Sequence, residues 1–316
     1  MKKLLKYFWT VFVVIGITSC GEPSPTELID DTVENVEIKI ISDQPSVYDY
    51  TNGYDSTGIF DPFIDKSTII SVSGIRNTNY GFVSKNEYYF AQFNDKTKSV
   101  YLNGKLLGYK TKSVASVRFD NIQAQVAPHM MSFRYNNMRK DTALGFKYVV
   151  LSRMMPPGGT ANFPYNSKIN FKLDGGRVQF DIPTPPEVVG EIRTQGSFAN
   201  RTFKMDLLWN GRGMGNNGYG GMGSGMGSGS GQIEIILGTI AMQSTQPTPL
   251  LKLVGPDNGK MSIQQNILEK IPFNQNRFLV VTFIRRFIKE IPNNDILNDN
   301  YIAAQSIHNI RIQIPR

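Results

Sequence analysis

Lys168-Ile169-Asn170-Phe171-Lys172-Leu173, then Asp174-Gly175-Gly176, then Arg177-Val178-Gln179-Phe180-Asp181-Ile182, is the stretch that decides the fold class. Before the turn, apolar and polar residues alternate strictly; after it they alternate again. A period of two puts one face of a strand on a core and the other in water. Asp-Gly-Gly between the runs supplies the positive φ angles of a tight hairpin.

The same grammar recurs in both directions. Ser99–Leu102, Asn103-Gly104 and Lys105–Tyr109 make a second hairpin, with Asn-Gly suited to a type I′ turn. Strand patterns also run over Val36–Ile40, Ser67–Ile75, Glu87–Phe93, Ala115–Phe119 and Phe146–Leu151. Towards the carboxyl end they continue over Glu187–Thr194, Thr202–Trp209, Gln232–Leu237, Leu250–Val254, Lys260–Ile263, Phe278–Ile288 and Ile307–Ile314. Helical spacing shows only at Ile263, Ile267, Leu268 and Ile271, ending before Pro272. Many short strands with regular turn signals predict an all-β protein built of β-sandwiches.

Pro183, Pro185 and Pro186 interrupt this pattern. Proline cannot donate to a sheet ladder, so pairing should stop there. That places a boundary between two consecutive sandwich domains, residues 37–185 and 186–316, the second carrying a glycine-rich loop at 211–231. The pattern resembles immunoglobulin-like modules, although the Cys-Trp-Cys hallmark of antibody domains is absent.

The amino terminus specifies a location. Lys2, Lys3 and Lys6 precede an apolar run from Tyr7 to Ile17, followed by Thr18-Ser19-Cys20. A positive segment, a short apolar segment and small residues at a cut form a secretory signal. Eleven helical residues span roughly 16 Å, too short for a hydrocarbon core of roughly 30 Å. Ile17-Thr18-Ser19-Cys20 resembles the lipobox of bacterial lipoproteins. That resemblance implies cleavage after residue 19, diacylglycerol on the Cys20 thiol and acylation of the new terminus. It also implies membrane anchoring, and Gly21 after the cysteine implies sorting to the outer membrane. The whole pattern is similar to envelope lipoproteins of the Bacteroidota and Chlorobi. Residues 20–36 then form the lipidated cysteine and a flexible, acidic, proline-containing tether.

Composition removes several function classes. Cys20 is the only cysteine, so a lipidated chain has no thiol for disulfides, catalysis or metal. Only His129 and His308 are available as imidazoles. The formal charge of +8 includes the three signal lysines, and the remaining basic residues are scattered among acids. Nucleic-acid binding, which wants a basic stripe, is not expected.

Chemistry-bearing patterns are sparse. Within 211–231, Gly213-Met214-Gly215-Asn216-Asn217-Gly218 spells a dinucleotide fingerprint, but more glycine follows where a helix would be needed. Ser224, Ser228 and Ser230 have glycine directly adjacent, unlike a nucleophile elbow. Met214, Met222 and Met226, with His129-Met130-Met131, are ligand types that suit Cu(I), which makes an extracytoplasmic copper protein one alternative. A second is an enzyme acting on polysaccharide, drawing two carboxylates from Asp61, Asp65, Glu87, Asp206 and Glu234. Asp295 and Asp299 lie in a polar turn that offers oxygen ligands without EF-hand spacing. Tyr48, Tyr50 and Tyr54, flanked by Asp49, Asn52 and Asp55, offer aromatic faces beside polar groups, as sugar-binding surfaces do. Arg212 and Tyr219 are the large polar contacts of the glycine-rich loop. The leading expectation is a non-catalytic surface module without a cofactor. It would be held to the membrane by its amino-terminal lipid and meet a surface glycan or envelope protein through Tyr48, Tyr50, Tyr54, Arg212 and Tyr219.

Overall fold

A computed structural model describes residues 37–40, 47–48, 66–102, 105–135, 138–151, 162–196, 202–210, 231–241, 248–269, 276–292 and 297–313. In chain order the strands begin with β1 (Glu37–Ile40), β2 (Val47–Tyr48), β3 (Thr68–Asn79), β4 (Phe82–Leu102) and β5 (Lys105–Thr111). Next come β6 (Val117–Phe119), β7 (Ile122–Gln123), β8 (Gln125–Tyr135), β9 (Met138–Leu151), β10 (Lys168–Leu173) and β11 (Val178–Pro183). They continue with β12 (Gly190–Gln195), β13 (Lys204–Trp209), β14 (Gln232–Ala241), β15 (Thr248–Pro256) and β16 (Lys260–Ile263). A single turn of helix, α1 (Gln265–Leu268), precedes β17 (Asn276–Lys289) and β18 (Asn300–Gln313).

The protein is all-β. The deciding hairpin forms as β10 and β11, with Ile169 opposite Ile182, Phe171 opposite Phe180 and Leu173 opposite Val178. Its connection has positive φ at Asp174, Gly175 and Gly176. The Asn-Gly hairpin forms too: Leu102 pairs with Lys105, leaving two residues between the strands. Elsewhere the strands are longer than the sequence pattern indicated. β4 runs for 21 residues, and β9, β17 and β18 for 14 each. In β17 and β18 the pattern is hidden by burial on both faces. Phe278–Ile284 reads as an apolar run broken only at Thr282 rather than as an alternation, as a strand covered on both sides should.

One sheet organises everything, in the order β1-β15-β14-β17-β18-β3-β4-β9-β8-β2, with β5 beside β4. Two small sheets, β11-β10-β6-β7 and β12-β13-β16, complete the fold. Ile70, Val72, Phe93 and Val150 of the large sheet share a buried core with Phe119, Phe171 and Leu173 of the first small sheet. In the second small sheet, Trp209 sets its ring 6.1 Å from that of Phe283 on β17. Each fully buried apolar side chain here contributes roughly 1.5–3 kcal/mol.

Two consecutive domains were expected to divide at the prolines of 183–186. The sheet instead runs across that point. β18 lies parallel to β3 from Asn300 opposite Thr68 to Arg311 opposite Asn79, joining strands from either side of the prolines. Glu37–Arg316 is accordingly one compact unit. Local patterning shows where strands lie but not which strands pair, so this long-range contact left no mark near the prolines.

Candidate functional site

Pro183–Gly190 crosses the face of the large sheet between the two small sheets, and its prolines remove donors that a strand would use. Backbone polar groups left out of a ladder must find other partners when buried. β18 provides two of them from buried positions, and residues beside β10 and β13 provide two more. Val188 N–H donates to Ser306 Oγ at 2.8 Å, and Gly190 N–H donates to His308 Nδ1 at 2.8 Å. Thr184 N–H donates to the Ser167 carbonyl at 2.9 Å, and Val189 N–H to Asn210 Oδ1 at 2.7 Å.

The centre of this seam is Arg285 on β17. It forms a two-pronged pair with Asp257, Nε to Oδ2 at 2.6 Å and Nη2 to Oδ1 at 2.9 Å. Both side chains are only 1% exposed. Nη1 also reaches the carbonyls of Pro186 and Glu187, at 3.4 and 3.3 Å, and Nη2 reaches that of Asn210 at 2.7 Å. Trp209 Nε1–H donates to Asp257 Oδ1 at 2.7 Å. Asp257 N–H donates to the Gly231 carbonyl at 2.7 Å. Asn210 precedes the glycine-rich stretch and Gly231 ends it, so the two residues of one buried ion pair hold both of its ends, Arg285 by its side chain and Asp257 by its backbone.

His308 carries a definite tautomer. Because Nδ1 accepts from Gly190, the proton sits on Nε2, which faces Thr78 Oγ1 at 2.8 Å. Burial, reinforced by the Arg76 guanidinium, pushes its pKa down to about 4. Glu187 binds Arg76 at 3.3 Å and Lys85 at 2.9 Å near the surface of the seam. Tyr89 donates its hydroxyl to Glu87, and burial followed by that carboxylate holds the phenol far above its ordinary range. Tyr165 is raised as well, by burial and then by Glu187. Gly74 makes room for it: a Cβ there would lie 2.5 Å from the Phe163 ring and 2.6 Å from the Tyr165 hydroxyl.

The arrangement holds backbone. Arg285 has its three nitrogens engaged, and His308 is neutral with both nitrogens occupied. Of the five carboxylates considered for polysaccharide chemistry, Asp61 and Asp65 lie outside the described residues. The other three are held separately. Glu87 takes the Tyr89 hydroxyl, Asp206 that of Ser262, and Glu234 pairs with Lys252 and Arg286, each at 3.2 Å.

Cys20, Tyr50, Tyr54, Arg212 and Tyr219 lie outside the described residues, as do Met214, Met222, Met226 and Asp295. Tyr48 is placed by its backbone only, opposite Ser132 in the pairing of β2 with β8. His129 is buried on β8. Asp299 sits at positive φ between Lys66 and Lys96, at 2.7 and 2.5 Å, and these lysines hold its carboxyl below the usual range. Among the described residues, no three His, Cys, Asp or Glu side chains gather as a metal site requires.

Sequence reasoning missed Arg285, Asp257, Glu187 and Ser306. The available signal was the proline run itself, since a segment without a ladder demands side-chain donors and acceptors nearby. No protein-family model matches the chain, and no curated protein matches it.

Proposed function

We propose that this chain is a lipid-anchored cell-envelope lipoprotein whose β body serves as a non-catalytic binding or assembly module. One observation carries the reading: three lysines, an apolar run and Ile17-Thr18-Ser19-Cys20 follow one another in the order a lipoprotein signal requires. Gly21 directs it to the outer membrane under the sorting pattern that this resemblance implies. The polar seam supports a structural rather than catalytic body, because its charged groups are engaged in holding Pro183–Gly190 and the ends of the glycine-rich stretch. One acyl chain holds a protein weakly, at about 0.8 kcal/mol per buried methylene, and two or three hold it for long times.

Cys20→Ser tests the anchor directly. The variant should accumulate as unprocessed precursor and take up no fatty-acid label in cells. Normal processing, or release of the wild-type protein from membranes by salt alone, would overturn the reading. Glycan-array and pull-down measurements on the wild-type protein then test the binding role, which loses its support if neither finds a ligand.

A further inference from the structure

The turn between β3 and β4 presents Tyr80-Gly81-Phe82-Val83 at one end of the large sheet. These side chains are not tucked in: Phe82 is 82% exposed, Tyr80 58% and Val83 49%. Single exposed apolar residues are ordinary, but three on one hairpin tip form a patch that calls for a partner. The patch has two sides. Phe82 and Val83 are consecutive in an extended strand, so they point to opposite faces. An apolar group on both faces of a projecting tip suits insertion into a soft phase better than docking against one flat surface.

A cation is built into the same end. Arg311 of β18 pairs with Asn79, the residue opposite Phe82. Its guanidinium lies 3.8 Å from the Phe278 ring centroid and 5.9 Å from that of Tyr80, and those two rings meet edge to face at 6.0 Å. Arg311 Nε has no hydrogen-bond partner among the described residues. The strands that meet here bring no acids of their own: residues 76–85, 276–289 and 305–316 contain no Asp or Glu. Glu187, from the Pro183–Gly190 segment, pairs with Lys85 at 2.9 Å, and Arg311 is the cation beside the tip rings. Aromatic rings beside cations at the rim of an apolar patch are what a bilayer interface accommodates, and basic residues draw such a patch to anionic headgroups.

We propose that the β3–β4 tip is a membrane-contact wedge: Phe82 and Val83 enter the headgroup–acyl boundary of an anionic bilayer while Tyr80 and Arg311 lie at headgroup level. The occupant is a lipid surface, and the proposal deepens the anchored-lipoprotein reading, on which it rests for bringing the body to a membrane. Chain length allows it. The seventeen residues from Cys20 to Val36 can extend up to roughly 55 Å. A twelve-residue strand such as β3 is roughly 40 Å long.

The test uses the full-length protein purified from membranes and reconstituted into vesicles. Ser84, exposed beside Val83, is replaced by cysteine and labelled with an environment-sensitive fluorophore. In vesicles of equal phosphatidylcholine and phosphatidylglycerol, the label should shift to the blue and be quenched by a lipid-borne quencher. Both signals should weaken in high salt. They should disappear when Phe82 and Val83 are also replaced by serine, and fall in Arg311→Gln, with the melting temperature of the first variant unchanged. Emission as in buffer, quenched by aqueous iodide in every vesicle, overturns the proposal. So does a blue shift that needs no lipid and grows with protein concentration, which would mean that a second copy covers the tip. Wild-type protein carried through the same labelling separates the two readings, because label on it reports a free Cys20 and a failed anchor whatever the Ser84 probe shows.

Discussion

Replacing Arg285 with methionine removes the guanidinium from the seam while keeping an unbranched apolar stem in the space on β17. Asp257, 1% exposed, then keeps the Trp209 indole N–H but loses both prongs of its cation. The carbonyls of Pro186, Glu187 and Asn210 lose a donor at the same time. Breaking a buried pair on one side costs about 3–5 kcal/mol, because a charge is stranded where water cannot reach it. At about 2.1 cal/mol/K per residue, the unit Glu37–Arg316 has an unfolding entropy of roughly 0.6 kcal/mol/K. The melting temperature should therefore fall by roughly 5–8 °C, measured by calorimetry or circular dichroism. Asp257→Asn in the same chain removes the stranded charge, so Arg285→Met with Asp257→Asn should recover part of the loss. A fall of less than about 2 °C in the single variant would refute the assignment of the seam to this pair. Equal losses in the single and double variants would refute the electrostatic part of the reasoning.

Further expectations concern packing and pH. In Gly190→Ala a Cβ would come 2.4 Å from a ring carbon of Phe283, and in Gly74→Ala 2.5 Å from Phe163. Each should cost about 1–3 kcal/mol in urea denaturation, whereas Gly231→Ala, with no atom within 4 Å of the new Cβ, should change stability by less than about 0.5 kcal/mol. Equal effects at the three sites would show that the segment is not closely seated. His308 is neutral in both folded and unfolded chains above pH 6.5, so its titration contributes nothing there. As pH falls from 6.5 to about 4, only the unfolded chain takes up the proton, and stability should drop, levelling near about 3 kcal/mol below both values. His308→Gln should lose this pH-dependent component, and an unchanged slope between pH 6.5 and 4.5 would assign it elsewhere.

The strand content was legible because its signals are local. Asp174-Gly175-Gly176 and Asn103-Gly104 mark hairpins whose registers need no distant information, and α1 fell within the one stretch of helical spacing. The extent of β18 was not legible in its first half, because Asn300-Tyr301-Ile302-Ala303-Ala304-Gln305-Ser306 has no alternation of period two. Both faces of that half are buried, with Ile302 and Ala304 in the core against Phe171 and Ala303 and Gln305 buried on the other side. The same double burial hides Ser71, which receives a hydrogen bond from Gln305 at 3.1 Å, and Asn309, which binds Thr282 and Asn77 at 2.8 and 2.9 Å. Polar residues at such positions look like solvent-facing ones in a sequence. Arg285 was equally invisible, since its meaning depends on Asp257 and on three carbonyls drawn from two other segments. Tyr48, Tyr50 and Tyr54 stand out in the sequence by their polar neighbours. Tyr80 and Phe82 stand out by exposure, which only the fold reveals.

The parallel pairing of β3 with β18 also sets a schedule. Thr68 must wait for Asn300, and every residue between them has to be made before that ladder can close. Closing so long a loop comes late, and folds dominated by distant pairings are slow. Until then β3 has one edge without its final neighbour, the condition under which strands join the wrong chain. Under the lipoprotein reading proposed above, the chain crosses a membrane amino terminus first, and β3 is exposed throughout transit. Loss of the last fourteen-residue strand would leave that edge open for good. Such a truncation should yield an aggregating chain rather than a smaller version of the fold.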